Sequence, residues 1–297
     1  MNTLKAILKP QYEYSFSDIC FKIKSVTVII NSNNPDIHIQ LIGRTKIEKM
    51  KSLFLDIYNL IYLYLGHFPT ISNLNYNGQD IKQDLNANKF TTNKLFIKSE
   101  NRICDISDNT INPSTLSLIR EYNALPLNSL QNITCEAYSH IALEHELTLL
   151  LHVIDSIILD NSVRRTFLPK WQKMLDKKNG TSKETAGKYG AKVLLLCEKT
   201  FFPFDRKSEH SLLKALRITK FDFIRTISDT RNSYSHLLPK GEKKKAIFDK
   251  PELFFIYLDL MVYLIRLYIL SELKVTHDKD KMSKYYEATH EWLERIK

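Results

Sequence analysis

The chain has 297 residues, 43% hydrophobic and 26% charged, with 43 Lys and Arg against 33 Asp and Glu for a formal net charge of +10. Those fractions exclude a disordered or low-complexity chain, and the length suits one large domain or two smaller ones, of which two is the expectation. A positive excess of this size suits a polyanionic partner, because each Lys or Arg that neutralises a phosphate releases counterions, and nucleic acid is the first candidate.

Residues 1–10 hold only a short apolar patch before polar residues return, too little for a signal peptide, so a cytoplasmic location is expected. Residues 19–30 and 36–43 alternate in part and are rich in Ile and Val, with the turn residues Asn31 to Pro35 between them, which predicts a hairpin. Ile47, Met50, Phe54, Ile57, Ile61 and Tyr64 recur at helical spacing and predict a helix ending at Gly66 and Pro69, with Thr45 as its cap. Residues 71–99 mix Asn, Gly and short apolar runs such as 94–98, the texture of short strands and loops.

From about residue 112 the pattern is helical. Pro113 and Ser114 open a helix to Tyr122, Pro126 interrupts, and a longer helix is predicted over 132–159. Further helices fit 167–178, 181–199, 210–238, 251–273 and 278–295; Thr181 and Glu184 have capping-box spacing, and Pro251 suits a first turn. Within 253–270, Asp259 and Arg266 would each cost roughly 2.5–3.5 kcal/mol at a bilayer centre, so the segment reads as the central helix of a bundle and no membrane partner is expected. These textures predict an α+β N-terminal domain over 1–110 followed by an all-α bundle over 111–297.

The chemistry concentrates in 227–238. Phe223, Ile227, Thr230, Tyr234 and Leu237 make an apolar stripe, while Arg225, Asp229, Asn232 and His236 gather on the opposite face and Arg231 borders the stripe. At about 100° per residue, Arg231 and His236 stand roughly 140° apart around one helix. They converge only if the helix distorts, the guanidinium arm reaches around, or a second copy completes the site. Arg231 carries a permanent charge suited to a phosphate, and His236 can exchange a proton near neutral pH. That pairing is sufficient for metal-free RNA cleavage: a base activates the ribose 2′-OH, an acid protonates the leaving 5′-oxygen, and a cation holds the charge. Asn232 can orient the imidazole or bind a phosphate oxygen. Ser235, four residues on, is placed as a hydrogen-bond partner of Arg231.

The run from Arg231 through Asn232 to His236, at the end of one helix and ahead of a long apolar helix, resembles the Arg-x4-6-His motif of the HEPN superfamily, many of whose members have Asn after the Arg. The resemblance covers roughly 115–297, and an N-terminal domain with β character ahead of it is similar to the Apea-like HEPN group associated with bacterial antiviral defence. It implies an all-α HEPN-type bundle and a metal-independent endoribonuclease, a toxin or defence effector that dimerises so that two motifs face each other. His236 would be general base or acid, Arg231 the phosphate and transition-state binder, and Asn232 the polar support. RNA and a second copy are the implied partners, with a protein trigger or antitoxin besides. Some relatives carry a modifiable Tyr two residues after the His; this chain has Leu238 there.

Lys240, Lys243, Lys244 and Lys245 follow the motif beside Gly241 and are candidates to grip an RNA backbone; Lys170, Lys173, Lys177 and Lys178 form a second basic cluster beside Trp171. His140, Glu144, Glu146, His152 and Asp155 lack a second ligand pair at metal spacing and are read as solvent-facing or structural, so no metal is expected. With seven glycines and no Gly-x-Gly-x-x-Gly or Walker loop, nucleotide hydrolysis of the common kinds is not expected, and no cofactor is. The cysteines at 20, 104, 135 and 197 have no metal-site spacing and read as buried thiols of a reducing compartment. Two other readings remain open: a helical module that holds RNA or nucleotide without cutting it, and a pure protein-interaction module.

Overall fold

The computed structural model describes residues 1–85, 102–122, 143–179, 185–201, 213, 218–236 and 251–296. The chain divides into two compact units, one of 1–140 with 269–281 and the other of 141–268 with 282–297.

The first unit is built on a six-stranded antiparallel sheet in the order β2-β3-β4-β1-β5-β6, from β1 (Asn2–Lys9), β2 (Ile19–Ile23), β3 (Val26–Asn33), β4 (Asp36–Gly43), β5 (Thr70–Tyr76) and β6 (Gln79–Asp80). Two features differ from the sequence expectation. The run 19–30 is two strands, because Lys24 adopts a left-handed φ of 52° and turns the chain at Ser25. The short opening patch, assigned no element from sequence, is the central strand β1, paired with β4 on one side and β5 on the other. The period-2 alternation sends Leu4, Ala6, Leu8, Val28, Ile30, Ile39 and Leu41 to one buried face. Asn77 and Gly78, both at positive φ, close the β5–β6 hairpin in the manner of a two-residue Asn-Gly turn.

Helix α1 (Ile47–Leu65) has a half that is buried almost all round, from Asp56 to Leu65, and ends on Gly66 at φ 82°. Thr45 does not cap it: the N-cap is Lys46, with no side-chain cap hydrogen bond, and the Thr45 carbonyl instead accepts from Asn2 Nδ2 at 2.8 Å. Helix α2 (Pro113–Tyr122) is capped reciprocally, Thr115 N–H donating to Asn112 Oδ1 and Asn112 N–H to Thr115 Oγ1, both at 3.1 Å. The run 94–98 lies outside the described residues.

The second unit is helical: α3 (Leu143–Ile157), α4 (Asp160–Arg164), α5 (Phe167–Asn179), α6 (Lys188–Phe201), α7 (Lys220–His236), most of α8 (Pro251–Glu272) and most of α9 (Lys279–Ile296). Of the helix expected over 132–159, the described part runs from Leu143 and stops at Ile157, and the short α4 follows. Two helix starts move for identifiable reasons. Helix α6 begins at Lys188 rather than 181, because Gln172 Oε1 accepts the Ala186 N–H at 2.8 Å and holds 185–187 outside the helix; the expected cap pair Thr181 and Glu184 lies outside the described residues. Helix α7 begins at Lys220 rather than 210: Thr219 Oγ1 accepts the Asp222 N–H at 3.2 Å while Asp222 Oδ2 accepts the Thr219 hydroxyl at 2.6 Å, a box that starts a helix there.

Helix α6 packs against α3, α4, α5 and α7. From Ile256 to Leu270 helix α8 is buried throughout, with Asp259 accepting from Tyr285 Oη at 3.0 Å and Tyr263 stacked on Tyr285 at 3.6 Å. No described helix is long and apolar enough to cross a membrane. Cys104 and Cys197 are buried as expected, Cys20 is exposed on its strand, and Cys135 lies outside the described residues.

Gly190 fixes the α5–α6 approach: a Cβ there would collide with Trp171 Nε1, and Trp171 is itself buried against Phe221, ring centroids 5.3 Å apart. The helix-propensity gain of Gly190→Ala, up to about 1 kcal/mol, is outweighed by the overpacking of a ring with nowhere to go, about 1–3 kcal/mol. The variant is therefore expected to melt below the wild type by thermal denaturation; an unchanged or raised Tm would contradict this packing.

Candidate active site

Helix α7 is continuous from Lys220 through His236, so the first way of converging Arg231 with His236, a distorted helix, is not what the backbone adopts. Phe223, Ile227 and Thr230 are buried, and Arg225, Asp229 and Asn232 are partly exposed, as the stripe predicts. Thr230 Oγ1 returns its proton to the Thr226 carbonyl at 2.7 Å, which lets a hydroxyl sit in the buried stripe. The side chain of His236 lies outside the described residues, as do those of Ser233, Tyr234 and Ser235, and Lys240, Lys243, Lys244 and Lys245 lie outside altogether.

Arg231 is held from another direction. Its Nη2 donates to Asp155 Oδ2 of α3 at 2.8 Å, and its guanidinium carbon lies 5.3 Å from the centre of the Tyr189 ring on α6. Its Nε is buried with no hydrogen-bond partner among the described residues. The other carboxylate oxygen of Asp155 accepts from Lys192 Nζ of α6 at 2.8 Å, and Lys192 also reaches the Asp155 carbonyl and Asp160 Oδ1, each at 3.0 Å. Lys188 completes the row at 2.7 Å from Asp160 Oδ2. Among the described residues three cations therefore face two carboxylates, and the cluster keeps one positive charge.

The environment sets the protonation states. Burial alone would raise the Asp155 pKa, but hydrogen bonds and charge from Lys192 and Arg231 outweigh it and hold the carboxyl below its ordinary value. Asp160, beside Lys188 and Lys192, falls to about 2. Tyr189 is pushed well above its ordinary value by burial, with Asp155 adding and Arg231 opposing, so it stays a phenol and donates to the Leu151 carbonyl at 3.0 Å.

Of the residues singled out from sequence, Arg231 and Asn232 stand on one described helix, and Asp155 enters as the partner of Arg231 rather than as a metal candidate. Lys192, Lys188, Asp160 and Tyr189 had no signal that tied them to Arg231. The four-residue spacing of Lys188 and Lys192 marks a shared helix face, but the pairing of Asp155 with Arg231 spans 76 positions. Lys170, Lys173, Lys177 and Lys178 lie on α5, where Lys170 pairs with Glu198 at 3.0 Å and Lys178 sits 5.8 Å from the Phe221 ring centre. Among the described residues no group of three or more His, Cys, Asp or Glu could hold a metal ion.

The helical unit, with an Arg and a His five residues apart on one helix ahead of a long buried helix, is similar over part of the chain to the HEPN superfamily. Residues 158–279 match the family described as Apea-like HEPN, a stretch that takes in α4 through α8. That match supports an RNase or RNA-related role. No curated protein and no solved structure shows a significant match to the chain.

With Asp155 replaced by Asn, Arg231 and Lys192 lose their shared charge partner, each in a partly buried setting. Asp155→Asn is expected to lower stability at pH 7 by about 1–2 kcal/mol. Because the folded pKa lies below the unfolded value of about 3.9, the contribution is complete above that value and is lost as pH falls through the folded one. The Tm gap between wild type and variant should accordingly be constant near neutrality and close on acidification below pH ~4; a gap that persisted there would show that Asp155 does not act through its charge.

Proposed function

We propose that the protein is a metal-independent endoribonuclease acting as a toxin or antiviral defence effector in the cytoplasm, with a composite site completed by a second copy of the chain. The observation that carries the reading is Arg231: within the HEPN-matched stretch, on the helix that ends at His236, its guanidinium is fixed by Asp155 in a cluster that retains a positive charge. Fixing the cation ahead of reaction reduces the reorganisation needed when charge develops on a transferring phosphoryl group.

His236 takes the proton of a ribose 2′-OH. The 2′-oxygen then attacks the adjacent phosphorus, the bond to the 5′-oxygen breaks, and an acid, the His236 of the second copy, returns a proton to the leaving oxygen. The products are a 2′,3′-cyclic phosphate and a 5′-hydroxyl. Arg231 neutralises the charge on the non-bridging oxygens, Asn232 supports the imidazole or a phosphate oxygen, and Lys240, Lys243, Lys244 and Lys245 hold the flanking strand. Asp155 is a positioning residue: it touches Arg231, not the RNA. The sheet-based first unit senses a trigger or restrains the helical part, and the helical unit cuts.

A non-catalytic RNA- or nucleotide-binding module is the second reading, and one observation favours it: Arg231 is already engaged by a carboxylate. The two separate in one assay. Purified wild-type protein incubated with cellular RNA in excess chelator should generate 2′,3′-cyclic phosphate ends, and His236→Ala should reduce the rate by ~100-fold or more. Equal cleavage by both would sink the nuclease reading, and RNA bound but intact would support the second. Sedimentation of the active protein should give a dimer; a strict monomer with full activity would contradict a composite site.

A further inference from the structure

A different concavity lies wholly within the first unit. The turn between β2 and β3, the first two turns of α1 and the end of α2 enclose a cavity of about 440 Å³. That volume is within the range of small-ligand pockets, about 300–1,000 Å³. Ile23, Val26 and Leu53 form an apolar wall, and Lys24, Lys49 and Arg120 stand around it with a single acid, Glu48, among them. Ser25 and Ser52 add hydroxyls.

One of the three cations is held in place by the fold, and a second rises from a backbone turn that is. Arg120 Nε is 2.6 Å from Asp56 Oδ2, a carboxylate only 2% exposed, while the arginine side chain is 42% exposed. Spending Nε on the buried acid leaves both terminal nitrogens without a partner among the described residues, in a side chain that lines the cavity. Lys24 sits at the left-handed turn, and that turn is clamped: a Cβ on Gly43 would stand 2.5 Å from the Ser25 carbonyl oxygen, so only glycine lets the turn lie so close to β4. Lys49 is the third cation of the lining, exposed and unpaired among the described residues.

We propose that this cavity of the β-sheet unit is a nucleotide-binding site, with the phosphates on Arg120, Lys24 and Lys49 and the base against Ile23, Val26 and Leu53. A buried acid that pins a guanidinium while leaving its fork open is an arrangement that stability alone does not call for. The mixed lining matches a ligand that is anionic at one end and flat and apolar at the other. Such a site is independent of RNA cleavage and gives the N-terminal unit a ligand class of its own.

The test uses the full-length His236→Ala protein, so that binding is read whether or not the chain cuts RNA. Isothermal titration calorimetry with ATP, GTP, CTP and UTP, and with inorganic tripolyphosphate, should show at least one nucleotide bound, and bound at least tenfold more tightly than tripolyphosphate. The double variant Lys24→Glu, Lys49→Glu changes two exposed side chains and should weaken that nucleotide tenfold or more without altering the melting profile. Arg120→Gln should weaken it similarly, and if that variant fails to fold the double variant alone decides. No binding by any of the four nucleotides, equal binding of tripolyphosphate, or an affinity indifferent to the double charge reversal would overturn the site.

Discussion

The Asp155 carboxylate is the constraint on which the helical unit's chemistry depends. It receives Lys192 on one oxygen and Arg231 on the other, each at 2.8 Å, and so ties α3, α6 and α7 at one point. The gross attraction at such distances, about 4 kcal/mol or more with an effective dielectric near 20, is largely offset by desolvation and side-chain ordering. Its weight therefore lies in asymmetry: with the acid present the two cations share one partner, and with it absent they confront each other across a partly buried gap. The second acid, Asp160, takes up the remaining valence of Lys192, so Arg231 is the member of the row with a nitrogen left over.

That geometry bears on how an Arg and a His on one helix can cooperate. Five residues turn an ideal helix through roughly 140°, and α7 stays helical through His236, so nothing in the backbone swings the two together. The arginine arm, long enough to reach around, reaches toward α3 instead. In the proposed dimer a two-fold axis would bring the same surface of both copies face to face, so that the fixed Arg231 of one would serve the His236 of the other.

Much of the fold was legible because its signals are local. The apolar periodicity of α1 and α8, Gly66 at its left-handed position and the alternation of β4 all sit within a few residues of what they determine. Most of the failures share a cause, a partner distant in sequence. β1 was invisible because its role as a central strand depends on β4 and β5, both far along the chain. The start of α6 is set by Gln172, fourteen residues upstream of the amide it captures. The start of α7, by contrast, was written locally in Thr219 and Asp222, and was missed because apolar periodicity runs on past it from 210. At the site, motif spacing singled out Arg231, Asn232 and His236, yet no spacing rule links Tyr189, or an Asp155 that stands 76 positions away, to the guanidinium.

The same device occurs in both units. Asp56 of α1 fixes Arg120 of α2 at 2.6 Å, and Asp155 of α3 fixes Arg231 of α7 at 2.8 Å. In each, a carboxylate on an apolar helix meets a guanidinium from a helix far along the chain, and the arginine is left partly exposed. The settings differ in a way that decides what each can do. Asp56 is 2% exposed against 28% for Asp155, so its cost of desolvation is the greater. Asp155 divides itself between two cations and can surrender some of its hold on Arg231 to a phosphate without becoming an unpaired buried charge, since Lys192 stays with it. A cation that must meet charge developing in a transition state is served by the second arrangement; one that must present a rigid fork to a ligand already charged is served by the first.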